Sequence, residues 1–328
     1  MRMPALFLAL MISAPESMAS PFTQYSRSST GAPFLRLPVG GRAVAMGEAY
    51  SALCDDAGAV YWNPAGLVDI EKRSATFLHA AYLDSISFDY GAYAQNLGKN
   101  HGTLGGSFHY LSAGKITETD DAGVEKGTFN PYDLAVALAY AYRFKESKIL
   151  KTYEEWPRDE FSWLNGYSLG ASAKFVRSRI TAHSQTATFD LGLLSPWYLG
   201  DKLRFAVVLV NMGGVLRFDK EREVLPFAAK AGLALRLNPE LSFALEGVVA
   251  RERDAYAALG AEYRRPFSPQ GTLMGRLGFN SKTIGEVSGA TGLSIGLGLG
   301  YLNYNLDYAF VPLGRLGSTH QVSLTARF

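Results

Sequence analysis

The chain has 328 residues, 48% of them hydrophobic and only 19% charged, with a formal net charge of +2. No Lys/Arg-rich run stands out, so a nucleic-acid partner has no electrostatic footprint. The single cysteine, Cys54, excludes an internal disulfide framework, and no run of about 18 apolar residues supplies a membrane-spanning helix.

In chain order, the first predicted element is a secretory leader over residues 1–19. Arg2 precedes the apolar stretch Ala5 to Ile12, and Ser17 and Ala19 are the small residues before a cleavage point. That predicts export. An exported, apolar, aromatic-rich chain without a spanning helix leaves a secreted β-protein or an outer-membrane β-barrel.

Residues 20–73 read as a compact, turn-rich unit. Its centre, GRAVAMGEAYSALCDDAGAVYWNPAGL (41–67), is full of alanine, which lets short helices pack closely against a glycine-lined wall. Asp55 or Asp56 is placed to cap a short helix beginning at Ala57. Pro64 fits a first helical position, and Asn63 before it is a natural cap.

From residue 74 to 328 the pattern changes to period two, in stretches of about ten residues separated by turn chemistry. Fourteen such segments occur, near 74–82, 85–96, 102–112, 132–144, 166–179, 185–194, 201–211, 226–237, 240–250, 255–264, 271–280, 290–300, 302–311 and 319–328. An even number of strands about 9–11 residues long is what a bacterial transmembrane barrel requires. One face is Leu, Val, Ala, Phe and Tyr. The other carries Asp89, Asp133, Lys174, Asp190, Lys230, Arg236, Glu246, Glu262, Arg276 and Asp307. Mixed charges suit a paired, hydrated lumen, whereas a dry core would penalise each by several kcal/mol. The predicted fold is therefore all-β: a 14-stranded antiparallel transmembrane β-barrel with a small N-terminal helical hatch inside the lumen.

The connections differ in length. Asn238 to Glu240, 195–200 and 265–270 are short, while 113–131 and 212–225 are long and rich in Gly, Asp and Glu. Those two loops offer partner contacts through Lys115, Glu118, Asp120, Asp121, Glu125 and Lys126, and through Arg217, Asp219, Lys220, Glu221, Arg222 and Glu223. The segment 145–166 falls on the short-turn side yet is long, charged and aromatic; Trp156, Phe161 and Trp163 make it a candidate docking surface. The chain closes on QVSLTARF, apolar at every second position through Phe328, the pattern read by outer-membrane insertion machinery.

The stretch 41–67, with Asn63-Pro64-Ala65, resembles the N-terminal signature of the FadL superfamily of outer-membrane barrels, closest to the PorV/PorQ branch. LDYAFVPLGRLGSTHQVSLTARF (306–328) is similar to the closing strands of that branch. The resemblance implies a hatch plugging the barrel and two functions. One is an accessory or carrier role in type IX protein secretion, with secreted cargo or a translocon as partner. The other is FadL-like uptake of a hydrophobic small molecule, which would bind along Val60, Tyr61, Trp62, Asn63, Pro64, Ala65 and Leu67.

Enzyme chemistry is not indicated. GLSIGLGLG (292–300) has alternating glycines and no following helix, so it is no dinucleotide fingerprint; those glycines make room beside the plug. His79, His101, His109, His183 and His320 lack metal-ligand spacing. Pairing His109 with Asp133, or His79 with a strand serine, would need a fold that brings them together. No cofactor or metal is expected, and the outer membrane of a Gram-negative bacterium, with its lipid as partner, is the expected location.

Overall fold

A computed structural model describes residues 30–328 except 82–85, 99, 121, 145–163, 180–182, 219–220 and 285–290. The leader over 1–19, Trp156, Phe161 and Trp163, and Asp121, Asp219 and Lys220 lie outside the described residues.

Among the described residues, eighteen strands follow in order. They are β1 (Arg73–Ala81), β2 (Ser87–Asn96), β3 (Thr103–Ser112), β4 (Ile116–Thr119), β5 (Glu125–Phe129) and β6 (Tyr132–Arg143). Next come β7 (Ser168–Arg179), β8 (His183–Leu194), β9 (Leu203–Met212), β10 (Val215–Phe218), β11 (Glu221–Val224) and β12 (Ala228–Arg236). The last are β13 (Leu241–Ala250), β14 (Tyr256–Ser268), β15 (Gly271–Asn280), β16 (Leu293–Tyr301), β17 (Tyr304–Pro312) and β18 (Ser318–Arg327). Fourteen form one closed barrel, sealed where β1 pairs with β18, and every barrel pair is antiparallel. The pairs β4–β5 and β10–β11 are separate two-stranded hairpins in the long connections. The fourteen segments read from period two are the fourteen barrel strands. The two hairpins are a correction to the reading of 113–131 and 212–225 as loops.

Alternation explains the wall. Along β16 every second residue is buried, and the others, Leu293, Ile295, Leu297 and Leu299, are exposed on the outer face. The same outward row holds Leu169 and Phe175 on β7 and Leu259 and Tyr263 on β14. An apolar outer girdle around closed, fully paired strands is what a lipid environment selects, because no backbone group is left unpaired at an edge. No helix among the described residues is long and apolar enough to cross a membrane; the crossing is by strands.

One member of the predicted inward set is corrected. Phe88 and Tyr90 are fully buried, so Asp89 lies on the opposite, outer face of β2, where its Oδ1 is 2.7 Å from Nδ1 of the exposed His79 on β1. Two large aromatics occupy the inward positions there, and the phase follows them.

Residues 30–72 fill the lumen. Short helical turns at Pro33–Arg36, Gly41–Ala45, Ala59–Trp62 and Pro64–Asp69 are joined by tight bends. The main buried cluster is hatch residues against the inner wall, including Met46, Leu53, Cys54, Trp62 and Leu67 with Phe88, Tyr90 and Ala137, Ala139 and Ala141 of β6.

Candidate functional site

The hatch fits because glycines stand at seven points of the wall opposite it. Gly105, Gly170, Gly192, Gly232, Gly260, Gly278 and Gly296 sit on seven barrel strands, and a Cβ at each would strike the hatch. At Gly170 it would meet the backbone of Pro64 and Ala65, and at Gly192 the Asn63 side chain. Of the glycines in 292–300, Gly296 makes room beside the plug, facing Ala45; Gly292, Gly298 and Gly300 face other wall residues.

Wall side chains then stitch the hatch backbone in place. Ser323 Oγ accepts from Gly41 N (2.8 Å), and Ser294 Oγ from Gly47 N (3.1 Å). Glu246 Oε2 accepts from Tyr50 N and Ser51 N at 3.0 and 2.9 Å. Asn280 Nδ2 donates to Gly47 O (2.9 Å), and Lys282 pairs with Glu48. At the far side, Asp69 bridges Arg143 and Arg204.

Arg42, on the first full helical turn, is the centre of a charge hub at the proximal end, where β1 begins and β18 ends. Its Nε donates to Glu262 Oε2 (2.8 Å) and its NH1 to Asp55 Oδ1 (2.8 Å) and Tyr50 OH (3.0 Å). Glu262 also receives Arg276 Nε (2.6 Å) and Arg264 Nε (2.7 Å), and Arg276 reaches Asp307 (2.7 Å). Arg327 donates to Asp55 (2.9 Å). Desolvation of this many charges is tolerable only because each finds partners of opposite sign.

The two adjacent acids titrate in opposite directions. Burial alone would raise Asp55, but Arg42 and Arg327 outweigh it and hold the carboxyl at about 2. Asp56 is raised, first by burial and then by the charge of Asp55. Asp55 therefore joins the ion network rather than capping a helix. The turn begins at Ala59, not Ala57, and Asp56 Oδ1 accepts from Gly58 N just before it (2.7 Å).

Asn63 sits as its sequence context suggests. Its Oδ1 accepts from Ala65 N (3.0 Å) at the start of the Pro64 turn, and its Nδ2 donates to Ser51 O (2.9 Å). Val60, Trp62, Asn63, Pro64, Ala65 and Leu67 are buried, while Tyr61 is half-buried. Trp62 Nε1 donates to Val39 O (2.9 Å), and Lys230 Nζ lies 4.9 Å from its ring centroid, a cation–π contact. Tyr61 packs between Trp62 and His109, at 5.0 and 5.5 Å between centroids. A cavity of about 20 Å³ remains where Trp62, Tyr50 and Tyr90 meet the wall. His109 is buried in this aromatic group on the inner wall, and His79 pairs with Asp89 outside.

The opposite, distal mouth is capped by apolar packing. Leu216 of β10 and Leu225 after β11 are buried against Phe34 and Leu35 of the strap, the segment 30–40 that leads into the hatch, and against Ala135 and Val176 of the wall. Gly31 N donates to Val224 O (3.0 Å), and Arg36 pairs with Glu252 (3.0 Å). The other hairpin projects, with Glu118 and Glu125 exposed and Lys126 at 4.0 Å from Asp120. A glycine-lined wall was legible in the sequence, but the pairings within the hub and the cap were not: Arg42 and Glu262 are 220 positions apart.

Comparison with known proteins places this architecture. Residues 22–173 match the family model of the type IX secretion system protein PorV. No curated protein matches the chain. Among solved structures, the Ralstonia pickettii toluene transporter TbuX aligns at 12% identity over 88% of this chain and 98% of its own, with a TM-score of 0.53. The Pseudomonas putida toluene transporter TodX aligns at 10% identity over 86% and 96%, also with a TM-score of 0.53. At these identities the likeness is one of fold. The chain is thus an outer-membrane β-barrel that matches the PorV family model over its hatch and first strands and shares its fold with the two toluene transporters.

Proposed function

We propose that this protein serves protein secretion across the outer membrane as a plugged, PorV-like carrier or accessory component, exported by its 1–19 leader. The observation that supports this most is the occupied lumen. The hatch is locked to the wall from Gly41 to Asp69, the distal mouth is capped, and the segment carrying these locks is the one matching PorV. A barrel stoppered this way acts through its surfaces. The β4–β5 and β10–β11 hairpins are the candidate contacts for cargo, and Trp156, Phe161 and Trp163 the candidate contacts for a translocon. No catalytic step enters this reading.

A second reading has one observation in its favour, the fold shared with two toluene transporters. In it, a hydrophobic molecule passes between hatch and wall along Val60, Tyr61, Trp62, Asn63, Pro64, Ala65 and Leu67. Purification of the tagged protein from host outer membranes separates the two. Stoichiometric recovery with a secreted protein or a large translocon, together with no saturable toluene or oleate uptake into proteoliposomes, is the expected result. Uptake that saturates and disappears in Tyr61→Asp and Trp62→Asp, with the barrel still folded, overturns it.

A further inference from the structure

We propose that the vestibule at the proximal mouth binds an oxyanion, a carboxylate or phosphate borne on a small organic body. A cavity of about 420 Å³ opens there beside the charge hub, within the range of about 300–1,000 Å³ usual for small-molecule sites. Four guanidinium groups line it: Arg42, Arg264, Arg276 and Arg327.

The arginines are not all consumed by locking the hatch. Arg42 and Arg276 are buried and engaged on several nitrogens. Arg327 gives one nitrogen to Asp55, and Arg264 directs Nε and NH2 at a single oxygen of Glu262. Their side chains stay 44% and 37% exposed, and both line the cavity. Their remaining N–H groups border the cavity, and planar donors of this kind favour carboxylate and phosphate.

The rim acid Glu240 is paired with Arg265 (3.5 Å) rather than with the two exposed guanidiniums, and Asp56 accepts from Gly58 N and Tyr50 OH. Pro239, Pro266, Met274 and Leu302 add apolar lining, so a ligand with an organic body is held better than a bare ion.

Isothermal titration of the full chain in detergent, with sodium benzoate in one arm and inorganic phosphate in the other, tests this. Saturable one-to-one binding is expected in at least one arm, the arm identifying the head group. Arg327→Ala and Arg264→Ala should each weaken it about tenfold or more, the loss of a charged hydrogen bond. Because those variants also loosen the hub, Thr272→Phe is the second test: it fills the cavity, leaves every arginine in place, and should abolish binding. Absence of saturable binding in both arms, or unchanged binding by Thr272→Phe, overturns the proposal.

Discussion

Two neighbouring aspartates set the pH response of the plug. Asp55 has a folded value of about 2 against an ordinary 3.8. Its contribution, about 2 kcal/mol, is fully present above the ordinary value and is lost as pH falls towards 2. Asp56 is raised, so its ionisation opposes folding, and stability rises as pH falls through its folded value. Asp55→Asn should therefore lower the thermal midpoint at pH 7 and flatten the loss between pH 4 and 2 (about that window). Asp56→Asn should leave the midpoint unchanged or raise it. Melting of the detergent-solubilised protein against pH checks both, and equal loss in the two variants contradicts the assignment. Glu262→Gln is the severe substitution here, because it removes the one charge at which three guanidiniums meet and leaves Arg264 without its carboxylate. Breaking such a buried cluster costs about 3–5 kcal/mol, read as a lower denaturation midpoint. The cap at Asn63 was legible from the residues either side of it. The Arg42–Glu262 pair was not, since the two are separated by 220 positions and only the closed sheet joins them.

At the scale of elements, the hatch and wall are complementary in side-chain size. Seven wall glycines accept the close approach of hatch residues between Ala45 and Leu67, and neither set has meaning without the other. Gly192→Leu should expel the Asn63–Ala65 turn while the outer face, and so the barrel, is untouched. The expected outcome is raised single-channel conductance in planar bilayers and faster proteolysis within residues 30–72. Wild-type conductance would show that the hatch is not seated there. The strands themselves were legible because a lipid-facing wall imposes period two on ten residues at a time. Hairpins of four or five residues carry too little pattern to stand out, and β4 is exposed along its whole length. Asp89 was placed on the wrong face for a related reason. The rule that charge points inward is weaker than the size of Phe88 and Tyr90, which needed the interior.

The whole molecule behaves as a closed cylinder with one filled interior, and that predicts its handling. Unheated samples in SDS should migrate as a compact band and shift on boiling, because every barrel strand is hydrogen-bonded to two neighbours. Leu216→Asp should leave this shift intact while loosening the distal cap, seen as cleavage near Gly31 by added protease.

The strap has its first described residue, Thr30, beside Val224 at one mouth, while the hatch leaves at Arg73 by the other. The seam that encloses it joins Ser74 to Arg327, nearly the first and last residues of the wall. Confinement of the plug follows from that: the seven glycines lie against hatch residues between Ala45 and Leu67 only once the wall is joined edge to edge. The C-terminal strand is then a latch: until it docks on β1, the bundle of short turns remains open to the side.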